Sequence, residues 1–384
     1  MKRQKINRIG IDARFYGPVG KGLGRYTQEI VDNIIKLDRK NEYVVFLRRE
    51  NFHSFNSNNP KVKKVLADIK WYGLAEQILL PFYIWRERLS LMHFSHFNVP
   101  VFCPVKFVVT IHDLILIKFP TRRATTLAPM IYKIKNFFYK IVITLAVKRA
   151  RKVIAVSEYT KLDLVRQFKI KPEKVRAVYE GASEFSHCCG ARDEKADDIL
   201  NKYGITKPYL LYVGNAYPHK NLEGLIRVFS EIIKNKPDLK LVLVGKEDYF
   251  YSRLKQSAIN QVGAVIFPGY VPDEDLRVLY AKARAYVFPS LYEGFGLPAL
   301  EAMAFGLPVA SSNKTCLPEI LGEAAVYFNP ENEAEMKEKI ELVVKDENLR
   351  QELIKRGYEQ VKKYRWIECA QKTLAVYNEA LNKL

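Results

Sequence analysis

PSLYEGFGLPALEAMAFGLP, Pro289 to Pro308, reads as the end of a strand, a glycine loop, a short helix and a turn. Pro298 suits a first helical turn, where its missing N–H is not needed, and Gly306 suits a helix stop. The helix therefore begins just after Glu293-Gly294-Phe295-Gly296. Outward from this unit, short β-branched runs alternate with amphipathic stretches: NRIGIDA, YVVFLR, FVVTIHD and KVIAVS, then PYLLYVG, LKLVLVG, AVIFPG, AYVFPS and LPVASS. Strands that alternate with helices form parallel sheets covered on both faces, so the pattern predicts an α/β, doubly wound architecture.

At 384 residues the chain exceeds what one core usually serves, so two domains are expected. The small, polar and charged stretch from Gly181 to Gly204 separates two blocks that each carry their own strand series. It sets the expected domains at 1–185 and 205–365. A final helix, Trp366 to Leu384, has Ala370, Leu374, Val376, Tyr377 and Leu381 spaced for burial, and is expected to pack back on the first domain.

With 48% hydrophobic and 27% charged residues the composition is that of a folded protein. The formal net charge of +20 must leave a positive field on the surface, which calls for anionic partners: nucleic acid, lipid head groups or phosphorylated substrates. The five cysteines show no CxxC spacing, and the adjacent Cys188-Cys189 suits neither a zinc site nor an easy disulfide, so a reducing cytoplasm is expected. MKRQK runs directly into strand-like INRIGIDA, without the apolar stretch of a signal peptide. In the basic helix region the longest apolar run, Ile141 to Val147, falls far short of the roughly 20 residues that span a bilayer.

A helix start presents unpaired backbone N–H groups and a partial positive charge, so the loop before Pro298 is a natural cradle for a diphosphate. Two carboxylates, Glu293 and Glu301, flank it. Beside phosphate they would repel unless they face hydroxyls, as the sugar and ribose of a nucleotide sugar would provide. An isolated pair of glutamates eight apart would equally suit a surface loop and a capped helix. The whole segment PSLYEGFGLPALEAMAFGLPVASSN is more specific, and it resembles the signature of the large retaining glycosyltransferase family 4, of GT-B fold.

That resemblance implies two Rossmann-like domains facing a central cleft, with the donor bound in the cleft. It assigns contact with the transferred sugar to Glu293, sugar and phosphate contacts to the loop amides of Gly294, Phe295, Gly296 and Leu297, and ribose to Glu301. A second match is YLLYVGNAYPHKNL, Tyr209 to Leu222, where the family uses an Arg and a Lys to neutralise the departing diphosphate. Lys220 occupies the lysine position. Asn215 stands where many members carry Arg, and His219 or a basic residue elsewhere is expected to compensate. In VVTIHD the strand ends in His112 and Asp113, aimed where ligands of open α/β sheets sit, and family members use this His near the donor sugar. Backbone near Val271 meets the nucleotide base in the family.

Near the start, GPVGKGLGRY (Gly17 to Tyr26) follows the first strand and opens a helix. Its spacing is not that of a nicotinamide fingerprint, and Gly22 and Gly24 are the expected donor contacts, against the plainer reading of a surface turn. The run Asp273 to Asp275 reads as an N-cap and acidic first turn, not a metal site. The resemblance implies neither a metal nor a cofactor, only a nucleotide-sugar substrate.

The implied reaction is hexose transfer with retention of configuration. SSNKTCLPEILGEAAVYFNP, Ser311 to Pro330, resembles members that transfer mannose from GDP-mannose in surface-polysaccharide assembly. Lys133 to Arg151 and Trp71 to Arg88 interleave basic and aromatic residues, which fits peripheral contact with the inner face of a membrane and a glycan or lipid-linked acceptor; a core-facing helix with a solvated basic face fits as well. Two alternatives stand: a non-hydrolysing sugar-nucleotide epimerase of the same fold, and a basic nucleic-acid-binding protein. For the latter no zinc spacing, RNP sequence or helix-turn-helix is present, and no nucleic acid is expected.

Overall fold

Residues that alternate between two apolar faces can be buried only where a sheet is covered on both sides, and the first half of the chain does this. Its elements run β1 (Arg8–Asp12), α1 (Lys21–Leu37), β2 (Glu42–Leu47), β3 (Val62–Leu66), α2 (Leu74–Arg86), β4 (Leu91–Phe94), β5 (Phe107–Ile111), α3 (Ile115–Lys118), α4 (Pro129–Arg149), β6 (Lys152–Ala155), α5 (Glu158–Phe168) and β7 (Val175–Ala177). In β2, Tyr43, Val45 and Leu47 face one core, with Ile30 and Ile34 of α1, while Val44 and Phe46 face the other, with Leu80 and Ile84 of α2. The sheet is parallel throughout, in the order β3-β2-β1-β4-β5-β6-β7.

The second half repeats the scheme: α6 (Asp193–Lys202), β8 (Tyr209–Val213), α7 (Leu222–Ile232), β9 (Lys240–Val244), α8 (Tyr249–Ile259), β10 (Val265–Gly269), α9 (Asp273–Lys282), β11 (Ala285–Phe288), α10 (Leu297–Ala304), β12 (Val309–Ser312), α11 (Leu317–Leu321), β13 (Ala325–Phe328), α12 (Glu333–Lys345) and α13 (Glu347–Val361). Its six strands are again parallel, ordered β10-β9-β8-β11-β12-β13. α7 buries Leu222, Leu225, Ile226, Phe229 and Ile232 on one face, the period-3.6 stripe its sequence carries.

A computed structural model describes residues 6–18, 21–120, 129–182, 193–259 and 264–382. The chain divides into one unit of Met1–Ile117, Leu127–Gly181 and Trp366–Leu384 and another of Lys118–Thr126 and Ala182–Arg365. The last helix, α14 (Trp366–Leu381), joins the first unit, where Cys369, Ala370, Val376 and Tyr377 enter the core beside α1 and Leu374 and Leu381 pack at its margin. A Cβ on Gly181 would sit 2.3 Å from the Trp366 backbone N, so only glycine lets the chain pass there.

Three sequence readings meet the structure differently. Within the stretch expected to form the junction, Asp193–Lys202 is helical, with Ala196 and Leu200 buried while Asp197 and Asp198 lie on the solvent face. The expected N-cap among Asp273 to Asp275 is instead Pro272, and all three acids belong to the first turn, where Asp275 pairs with Lys202 at 2.7 Å. The MKRQK start, Val19 and Gly20 of the glycine turn, and Cys188-Cys189 lie outside the described residues.

Candidate functional site

An open parallel sheet is wound in two directions from one strand, and where the order reverses, the loops leaving two neighbouring strands diverge to opposite faces. The crevice they leave beyond the strand ends is where such sheets bind ligands. In the second unit the reversal falls between β8 and β11, which pair through Leu210 with Ala285 and Leu211 with Tyr286. Asn215 and Lys220 follow β8, and Glu293 follows β11.

Lys220 and Glu293, 73 positions apart, meet there: Nζ lies 2.5 Å from Oε1, with the side chains only 14% and 9% exposed. Lys220 is set by a tight turn, Pro218–Lys220, and Asn221 then takes a left-handed conformation (φ 56°) that starts α7. The Leu291 N–H donates to the His219 carbonyl at 2.7 Å, tying the two loops together. Glu293 is fixed at its backbone too: its N–H donates to Thr315 Oγ1 at 3.1 Å, and the Cys316 thiol donates to its carbonyl at 3.3 Å. The loop is thus anchored at the residue, and the Lys220 bond holds the carboxylate itself.

The loop continues into α10 through Gly296, whose φ of 99° is closed to ordinary side chains. A Cβ there would also come within 2.8 Å of Leu317 Cδ2. Pro298 stands in the first turn, as the sequence implies, and Phe295 is buried edge-on against Tyr364 at 5.6 Å. Glu301, in the same helix and half-buried, receives a hydrogen bond from the Tyr280 hydroxyl at 3.3 Å. Val271 follows β10 with its side chain buried, which leaves its backbone as the polar surface it can offer.

The substitute expected for the missing arginine is not found at His219. Burial, with Lys220 beside it, pushes that imidazole down to about 4, so it is neutral near pH 7. Asn215 serves its own turn, accepting from the Tyr217 N–H at 3.3 Å.

In the first unit the reversal lies between β1 and β4, and His112 leaves the adjoining β5. Its Nδ1 is 2.9 Å from Glu180 Oε1 and its Nε2 3.0 Å from the Ser95 carbonyl oxygen. A carbonyl only accepts, so Nε2 carries a proton; an ionised carboxylate also only accepts, so Nδ1 carries the other. Although burial opposes charge, Glu180 raises the pKa of His112 and so favours the imidazolium. Tyr26 stands edge-on to it at 4.6 Å. Its neighbours His93 and His96 are both pushed down to about 3 by burial and by His112 itself.

Gly22 and Gly24 fall in the first turn of α1. A Cβ on Gly22 would meet open space, whereas one on Gly24 would lie 2.0 Å from the Gly17 carbonyl oxygen, so glycine at 24 is required by the chain's own close approach. Sequence reasoning passed over Glu180. The rule that singled out His112 applies to it too, since it follows the short β7. It also passed over a buried network in which Arg14 bonds Asp12 at 2.7 Å and Glu76 at 2.6 Å, with Asn98 donating to Glu76 at 2.7 Å.

Comparison with known proteins follows the same division. Residues 20–183 match the Glycosyltransferase Family 4 model and residues 195–360 the Glycosyl transferases group 1 model. O-antigen chain mannosyltransferase B of Escherichia coli is 32% identical over 234 residues, covering 59% of this chain and 60% of its own length. O-antigen chain mannosyltransferase RfbU of Salmonella typhimurium is 28% identical over 279 residues, covering 72% of this chain and 71% of its own. Sucrose-phosphate synthase of Thermosynechococcus elongatus superposes with a TM-score of 0.74 at 20% identity, over 97% of this chain and 98% of that one, a likeness of fold. With two parallel-sheet, Rossmann-like domains of GT-B type and a family match to each, the chain belongs to the group 1, family 4 glycosyltransferases.

Proposed function

We propose that the protein is a metal-independent, retaining glycosyltransferase that moves mannose from GDP-mannose to a hydroxyl of a lipid-linked or polysaccharide acceptor. The observation that carries this reading is the Lys220–Glu293 pair, set beyond the two switch-point strands and beside the start of α10. Without ligand the ammonium and carboxylate satisfy each other; a donor diphosphate takes over Lys220 and the α10 amides, which frees Glu293 to orient sugar hydroxyls. Glu301 takes the ribose, and backbone near Val271 the base. The bond from C1 of the sugar to the diphosphate breaks, a bond to the acceptor oxygen forms on the same face, and the acceptor proton passes to the departing diphosphate. His112, an imidazolium with both N–H groups engaged, acts as a fixed charge and not as the base. Catalysis is positioning plus stabilisation of the leaving group.

Mannose as the sugar rests on the names of two relatives, both mannosyltransferases of O-antigen chains. A lipid-linked acceptor would set the reaction at the cytoplasmic face of the cell membrane, with the segments Trp71–Arg88 and Lys133–Arg151 as the lipid-facing parts. Thermal unfolding in a panel of GDP-, UDP- and dTDP-sugars tests the donor. At about 100 times its dissociation constant, GDP-mannose should add roughly 2.7 kcal/mol. A shift only with UDP- or dTDP-sugars defeats the GDP assignment, and no shift with any donor defeats the site.

A further inference from the structure

α2, α4 and α5 cover one face of the first sheet. Leu80 and Ile84, Ile143 and Val147, and Leu164 and Phe168 turn inward from the three helices into one core with Phe94, Val109 and Val153. The outer face of α2 is apolar as well. Leu74, Ile78, Phe82 and Trp85 recur at helical spacing along it and are 84%, 71%, 56% and 65% exposed. Phe137 and Phe138 of α4 are also exposed. Ring contacts link the start of α2 to α4: Tyr72, just before α2, lies tilted against Phe97 at 5.8 Å, and Phe97 stands edge-on to Tyr139 of α4 at 4.8 Å. An ordinary surface helix turns its apolar stripe inward and water meets the polar one; α2 shows apolar residues on both faces, which marks a binding surface.

Charge identifies what binds. Further along α4, Lys140, Thr144 and Lys148 line an open groove of about 340 Å³ that Gln167 and Lys169 close at the end of α5, and among the described residues no carboxylate lines it. α4 contains no acidic residue, and the single acid of α2, Glu76, is buried against Arg14. A second copy of the chain meeting this face by two-fold symmetry would bring lysine-lined grooves together, on molecules that each carry a formal charge of +20. A phospholipid surface supplies both missing complements, hydrocarbon for the stripe and phosphate for the lysines.

We propose that this face docks on an anionic phospholipid bilayer, with the Leu74-Ile78-Phe82-Trp85 stripe entering the acyl boundary and the Lys140/Lys148/Lys169 groove lying over head-group phosphates. The inference builds on the membrane contact proposed above and gives it a surface. Its test needs no turnover, so either reading can fail alone.

The full chain is sedimented with vesicles of phosphatidylcholine, with and without phosphatidylglycerol. Binding to the anionic vesicles is expected, falling about tenfold or more at high salt. Of the three tryptophans, Trp71 is stacked on Phe15 and Trp366 is buried, so a blue shift on binding should come from Trp85 and vanish in Trp85→Phe. Ile78→Asp with Phe82→Asp, and separately Lys140→Glu with Lys148→Glu, should each weaken binding about tenfold with the melting midpoint unchanged. Wild-type binding by both paired variants, equal binding to neutral vesicles, or no vesicle binding overturns the proposal. So does a dimer in sedimentation equilibrium that Ile78→Asp dissolves, since a second copy would then be the occupant.

Discussion

Removing Lys220 and Glu293 singly and together separates what the pair does for the fold from what it does for the reaction. At 2.5 Å and an effective dielectric near 20, the gross attraction is roughly 6 to 7 kcal/mol, most of it offset by desolvating the two charges. Lys220→Ala strands a carboxylate that Thr315 and Cys316 hold by its backbone, and at 9% side-chain exposure it should cost about 3 kcal/mol. Glu293→Ala should cost less, about 1 kcal/mol, because a freed lysine can carry its ammonium to water on a four-carbon stem. The double variant should then lie near the cheaper single one, with a coupling of about 2 to 3 kcal/mol. By calorimetry, Lys220→Ala should lower the midpoint of its unit by about 6 to 12 °C, and the double variant should recover most of that. Release of nucleoside diphosphate should stay lost in all three, since restored stability returns neither the phosphate ligand nor the sugar ligand. A Lys220→Ala cost under about 0.5 kcal/mol, or a double variant that regains turnover, would refute this reasoning.

Gly296→Ala imposes a side chain on a φ of 99° and drives it toward Leu317, so it should destabilise by about 1 to 3 kcal/mol and abolish the GDP-mannose shift; an unchanged midpoint with intact ligand binding would show that the loop tolerates both. Because Glu180 raises the pKa of His112, the pair's contribution is fully present below the unfolded value, about 6.5, and is lost as pH rises through the folded value. Glu180→Gln should move the His112 ring titration to lower pH in nitrogen-15 spectra, and an unmoved titration would mean that Glu180 does not hold the charge.

The nine β-branched runs read from sequence all become strands; most of their Val and Ile residues are buried on both faces, while those of the edge strand β10 are half-buried. β3, β4, β7 and β13 were passed over, and each for a local reason. β3 is VKKVL, an edge strand with lysines; β4 is LMHF, a central strand with one histidine and no β-branched residue; β7 is three residues long; β13, AVYF, lay inside a segment read for its family likeness. β4 matters most, because His93 is fully buried in it, bonded to Tyr377 and Thr110 at 2.6 and 2.9 Å. A histidine becomes a core residue only when partners 284 and 17 positions away arrive to satisfy it.

By itself the sequence determined the α/β architecture and the place of the glycine loop, because strand runs and a helix start leave their marks within a few neighbouring residues. It also named Lys220, Glu293 and His112. Only the tertiary structure decided that Lys220 and Glu293 form a pair, that Glu180 raises the pKa of His112 while His219 is neutral near pH 7, and that α2 turns an apolar stripe outward. Ion pairing, burial and exposure depend on which distant residues the sheet order brings together, and no local pattern encodes that distance.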